Sequence, residues 1–154
     1  MLDTNLPSTT ANARTFEPWQ VAWLRSKNNP YLFVTGVLGV LPFGAPNPKG
    51  LPKCEFWQEE VLRAIPNHDR ISVRSGHGVG KGTFISWVVL YALLTNDDVK
   101  IPIAANSQNQ LRDNNWPEIA KWHKKLPEPL RNQIEIQSEK VIVKVSPESA
   151  FAVR

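Results

Sequence analysis

Cysteine is almost absent from this chain: Cys54 stands alone among 154 residues. A single thiol excludes an intramolecular disulfide and any cysteine-built zinc site, and it fits a reducing compartment. Long hydrophobic runs are missing too. The longest apolar stretches, around Tyr31 to Leu41 and Phe84 to Leu94, fall short of the roughly 18 residues that a bilayer span requires. No membrane partner is therefore expected. The opening stretch MLDTNLPSTTANART has neither an early basic cluster nor an apolar centre, so it does not read as a secretory signal. His68, His77 and His123 lie far apart and no acidic group joins them, so the expected set of metal ligands is empty.

What is present describes an ordinary globular chain with a basic tilt. Hydrophobic residues make up 42% and charged residues 21%, enough apolar surface for one domain with a core. The net charge of +4 favours anionic partners but is too small to single out nucleic acid.

Residues 1–15 are rich in Thr, Asn and Ser and read as a disordered arm. Residues 16–53 read as a helical N-terminal segment ending in a Pro-rich loop. Its first helix contains FEPWQVAWLRSKNN, with Pro18 suited to the first turn and Asn28-Asn29 closing it. YLFVTGVLGVLPFG reads as a short buried helix. LPFGAPNPKGLP holds four prolines in twelve residues and is a loop. KCEFWQEEVLRAIP follows as a helix, with Phe56, Val61, Leu62 and Ile65 inward and Glu59, Glu60 and Arg63 outward. The fragments PWQ at 18–20 and FWQ at 56–58 are alike; their flanks read as unrelated, so no internal repeat is assigned.

The stretch RISVRSGHGVGKGTFISWVVLYALL, Arg70 to Leu94, reads as strand, glycine-rich loop and apolar helix. That is the layout of a phosphate-binding P-loop, in which backbone N–H groups and a helix N-terminus surround phosphate oxygens and a lysine supplies charge. The nucleotide-binding candidates are Ser75, Gly76, His77, Gly78, Val79, Gly80, Lys81, Gly82 and Thr83, with Lys81 the catalytic candidate. Ser75 stands where the pattern has its first Gly. Gly82 stands where it has the Ser or Thr that ligates magnesium, and Thr83 is displaced by about 100° on the helix. A glycine-rich turn without a ligand is the plain alternative. DVKIPIAAN reads as a second strand. SQNQLRDNNWPEIAKWHKKL reads as a helix from near Ser107, kinked or restarted at Pro117, with Leu111, Ile119, Trp122 and Leu126 on one side. The C-terminal stretch NQIEIQSEKVIVKVSPESAFAVR reads as a hairpin turning at Ser138-Glu139.

Together, FWQEEVLRAI, RISVRSGHGVGKGTFISWVVLYALL and VKIPIAANSQNQLRDNNWPEIAKWHKKLP resemble the N-terminal ATPase half of the large terminase subunits of tailed bacteriophages. The likeness covers about residues 54–146. It implies an α/β fold, a P-loop NTPase-like three-layer sandwich with an incomplete sheet, preceded by N-terminal helices. It implies a partial ATPase domain over residues 54–154, without the nuclease domain. It also implies ATP as ligand, an adenine-reading role for Gln58, 23 residues before Lys81, and nucleotide–DNA coupling through Ser107 and Gln108. Gln20 is an alternative adenine reader. His77 matches the position of a P-loop arginine, and Arg74 is the nearest permanent cation. Mg2+ is expected for the family, with its P-loop ligand lost at Gly82. The implied partners are double-stranded DNA, the small terminase subunit, the portal and other large-subunit chains, in the bacterial host cytoplasm.

The resemblance is incomplete. No acidic pair ends an apolar strand after the loop, since Asp97-Asp98 precede a strand instead. In the family that acidic strand would lie beyond residue 154, so the resemblance implies a truncated, catalytically impaired chain. Two further functions stay open: a non-catalytic remnant that binds terminase or portal subunits, and a helicase-like P-loop ATPase fragment. The basic run KWHKK at 121–125 suits a nucleic-acid contact or a solvated helix face.

Overall fold

The computed structural model describes residues 16–107, 109, 111–137 and 140–143. The arm at 1–15, Gln108 and the turn at Ser138-Glu139 lie outside the described residues. Helix α1 (Pro18–Arg25) is followed by α2 (Pro30–Leu32), which runs straight into a π-helical turn, Phe33–Val37. After the Pro-rich loop comes α3 (Phe56–Ala64), ended by a 3-10 turn at Ile65–Asn67. Helix α4 (Lys81–Thr95) is the longest element. A second π-helical turn, Leu111–Asn115, leads into α5 (Trp116–His123), then α6 (Glu128–Arg131) and the strands β1 (Ile134–Ile136) and β2 (Val141–Val143). The two strands pair antiparallel, with Glu135 opposite Ile142.

Two expected strands are not formed. Residues 70–76 and 99–105 belong to no ladder, and β1–β2 is the only sheet among the described residues. A β-prone run becomes a strand only when a neighbour accepts its hydrogen bonds, and neither segment has such a partner among the described residues. Ile71 and Val73 consequently remain 40% and 39% exposed. The architecture is mixed: helical, with one small two-stranded antiparallel sheet. Helix α4 is apolar nearly all round, as expected, but its cover is helical. Trp87 stacks edge-on against Trp122 of α5 at 5.2 Å, and Tyr91 meets Phe33 at 5.7 Å. The α1 side chain Trp23 donates its indole N–H to the Leu94 carbonyl at 3.3 Å.

One hydrophobic core includes Phe33, Val34, Leu62, Trp87, Leu90, Ile119 and Leu130, so the segments before and after residue 53 share it. The Pro-rich loop is pinned where it starts and ends: Leu41 N–H donates to the Pro52 carbonyl and Cys54 N–H to that of Leu41, each at 2.8 Å. In α5 and beyond, Ile119, Trp122 and Leu126 are buried as expected, and Pro117 sits in the first turn of α5, where its missing N–H costs nothing. No helix among the described residues is long and apolar enough to cross a membrane.

The likeness between PWQ and FWQ proves wider than the fragments. Glu17-x-Trp19-Gln20-x-x-x-Leu24-Arg25 and Glu55-x-Trp57-Gln58-x-x-x-Leu62-Arg63 share one spacing. Each opens a helix with the same capping box, in which the N-cap Glu N–H donates to the Gln side-chain oxygen, at 2.7 Å for Gln20 and 2.9 Å for Gln58. Gln58 and Leu62 form the inward stripe of α3, continued by Cys54 just before the helix, whereas Phe56 is exposed and pairs edge-on with Phe43 at 5.5 Å.

Candidate functional site

The glycine-rich loop passes from an extended segment into the N-terminus of α4. Gly78 and Gly80 adopt φ of 72° and 83°, a left-handed region that costs other residues about 1–2 kcal/mol. Gly80 is the N-cap of α4 and has no side chain with which to cap it. The N–H groups of the first turn therefore keep their donor capacity, and no acidic residue lies in that turn. Such a terminus favours anions. Lys81 folds back over the loop, donating to the Ser75 carbonyl at 3.5 Å and to the Gly76 carbonyl. Its ammonium thus sits at the start of the glycine stretch.

Helix α3 braces the loop from behind. The Trp57 indole N–H donates to the Val79 carbonyl at 3.2 Å, and the Gln58 amide N–H to the Gly80 carbonyl at 3.1 Å. The Trp57 ring also packs on Phe84 of α4 at 5.3 Å. Gln58 is buried, and its side-chain oxygen already accepts the Glu55 N–H. Each end of the amide is engaged once and the side chain is 3% exposed, so this conformation presents no open donor–acceptor edge to adenine. Gln20 is likewise the partner of its own N-cap, Glu17.

In front of the loop lies a cleft of about 540 Å³. His77, Lys81 and Thr83 line one wall; Asp113, Glu118 and Lys121 line the other. The Glu118 carboxylate joins the walls. It accepts the Thr83 hydroxyl at 2.7 Å, the Trp122 indole N–H at 3.0 Å and the Lys121 ammonium at 3.1 Å. Burial pushes the Glu118 carboxyl up, but the bonds from Thr83, Lys121 and Trp122 outweigh it and hold the group below its ordinary value. Glu118 is thus an anion facing the loop, and an isolated acid in a helical stretch offers no sequence signal for that placement.

Comparison with models of protein families, with curated proteins and with solved structures finds no match.

The structure brings together the loop residues 75–83, Gln58 and Lys121. Ser107 lies in a bend outside the lining of the cleft, while Gln108 is outside the described residues. Arg74 is exposed and forms no ion pair among the described residues. In the KWHKK run, Trp122 is a core side chain with 2% exposure, and Lys125 lies 4.4 Å from its ring centroid. That indole is closed to a nucleobase. His123 Nε2 faces the carbonyls of Arg131 at 2.9 Å and Ile134 at 3.1 Å, tying α5 to α6 and β1.

Magnesium coordination of the P-loop kind does not fit these residues. Gly82 offers no oxygen side chain, and the Thr83 hydroxyl is given to Glu118. No group of three or more His, Cys, Asp or Glu among the described residues is placed to hold a metal ion. The phosphate part of the implied ligand does fit: a braced glycine loop, an uncapped helix terminus and a lysine converge on one cleft.

Proposed function

We propose that residues 75–83 form an anion-binding P-loop that holds the phosphates of ATP, in the ATPase portion of a phage DNA-packaging large terminase subunit. The observation that carries the phosphate reading is the loop itself. Two left-handed glycines shape it, Trp57 and Gln58 brace it, and Lys81 lies across it ahead of an uncapped 15-residue helix. The terminase assignment rests on the sequence resemblance and brings with it the bacterial cytoplasm, DNA, the portal and the other subunits as partners. Hydrolysis is weak in this reading, because Gly82 removes a hydroxyl and no acidic strand faces the loop among the described residues.

A second reading has its own observation. The unpaired segments 70–76 and 99–105 suit a chain that docks on another protein without catalysis.

The test of the first reading is calorimetric titration of ATP, with and without magnesium. A Cβ at Gly82 would meet nothing within 4 Å, so Gly82→Thr has room. The wild type should bind weakly and with little help from magnesium. Gly82→Thr should bind more tightly and become magnesium-dependent, and Lys81→Ala should weaken binding by about tenfold, equivalent to 1.4 kcal/mol. If neither substitution changes binding, the loop is only a glycine-rich turn into α4.

A further inference from the structure

We infer that the cleft takes a polyphosphate chain irrespective of the base attached to it, gripped by Lys81 from the loop and by Lys121 from α5. This inference rests on the phosphate-loop reading above and names the ligand class of the same site. Two independent features of the structure lead to it.

The first is the fate of the base-reading group. An amide selects adenine by offering a donor and an acceptor side by side. Gln58 has committed one of each to the protein: its oxygen accepts the Glu55 N–H at 2.9 Å, and its nitrogen donates to the Gly80 carbonyl at 3.1 Å. The side chain is 3% exposed. To read a base it would have to abandon the N-terminal cap of α3 and the N-cap residue of α4 together. Trp57 is held likewise, with its N–H on Val79 and its ring on Phe84. Neither residue lines the cleft.

The second is a cation on the far wall. Lys121 lines the same cleft as Lys81, but on α5. Its tether is the Glu118 carboxylate, three residues back on the same helix, at 3.1 and 3.4 Å. The Lys121 side chain is 57% exposed, and an exposed pair of this type holds weakly. Glu118 keeps the Thr83 hydroxyl and the Trp122 N–H when Lys121 leaves it. Lys121 can turn to an anion in the cleft while Glu118 keeps two neutral donors, at the cost of its one cationic partner among the described residues. One phosphate in the loop meets Lys81. A chain of phosphates extending out of the loop meets Lys121 as well. Two cations on opposite walls favour a chain that reaches both over a single phosphate, against the repulsion of Asp113 and Glu118 on the Lys121 wall; charge, unlike an amide edge, does not distinguish bases.

The experiment is titration of the full 154-residue chain with ATP, GTP, inorganic tripolyphosphate and orthophosphate, on the wild type and on K121Q, K121R and K81A. ATP, GTP and tripolyphosphate should bind within about threefold of one another, and orthophosphate at least about tenfold more weakly. K121Q should weaken tripolyphosphate by about tenfold and orthophosphate by less than about twofold, with K121R retaining most of the affinity. Circular dichroism checks that each variant is folded. A tenfold or larger preference of ATP over GTP would overturn the base-independence. Unchanged tripolyphosphate affinity in K121Q would remove Lys121 from the site. Either result leaves the loop reading intact provided that K81A still lowers binding. If no anion binds the wild type, the loop reading and this inference fall together.

Discussion

Gln58 shows how one side chain serves two elements. It completes the cap of α3 and holds the last loop carbonyl before α4, so it is buried although polar. Gly80 is its counterpart: an added Cβ would stand 2.8 Å from the Gln58 amide nitrogen, at a φ that side chains avoid. Cys54 lies in the same region, 1% exposed. Burial pushes its thiol up to about 11, and the neighbouring Glu59 and Glu55 add to the shift. The thiolate is the reactive form, so native Cys54 should resist iodoacetamide at pH 8 and react readily in urea. Mass spectrometry of the two samples decides it; rapid labelling of the folded chain would contradict the buried placement.

Between elements, α1 and the first π-helical turn approach closely. A Cβ on Gly36 would fall 2.5 Å from the Ala22 Cβ, and neither atom can rotate away. Gly36→Ala should cost about 1–3 kcal/mol by overpacking. Adding Ala22→Gly should recover part of that loss, less the roughly 1 kcal/mol that a helical glycine costs. Urea denaturation of the single and double variants measures both, and an unaffected single variant would mean that α1 moves aside freely. The α4–α5 contact is electrostatic as well as apolar. Glu118 faces Thr83 on α4 and Trp122 and Lys121 on α5, with Asp113 lining the same cleft. Its carboxyl is held below the ordinary value. The folded state therefore prefers the charged form. That contribution is complete above the unfolded carboxyl value of about 4.3 and disappears as pH falls through the lower, folded one. Melting temperatures at pH 7 and pH 3 should differ less in Glu118→Gln than in the wild type. Equal differences would show that the carboxylate is as free as in the unfolded chain.

At the scale of the whole molecule, the imbalance lies between a well-covered α4 and two segments with no ladder. Apolar side chains on backbone that pairs with nothing promote association between chains. Ile71 and Val73 are both more than a third exposed. Size-exclusion chromatography with light scattering should show species larger than the 17.4 kDa monomer, and Ile71→Lys with Val73→Lys should shift the distribution towards it. A monodisperse wild-type monomer would show that these edges are harmless in solution.

Local patterns carried much of this structure. The amphipathic and apolar spacings placed α1, α3, α4 and α5, because a helix is specified by neighbours within a few residues and by its caps. The hairpin strands at 134–136 and 141–143 and the glycine loop were legible for the same reason. The segments at 70–74 and 100–104 were not, since their β-prone side chains express a preference that only a partner strand can satisfy. The site divides in the same way. Gly78, Gly80 and Lys81 announce themselves in order along the chain. Glu118 and Lys121 join them only because the Trp87–Trp122 contact lays α5 beside the N-terminus of α4. The two E-x-W-Q capping boxes make the distinction sharpest. The same residues start both helices, yet only Gln58 reaches the loop, and that is decided by what packs against α3. Local sequence sets the dihedrals and caps; which side chains meet is decided by the packing of surfaces far apart in the chain.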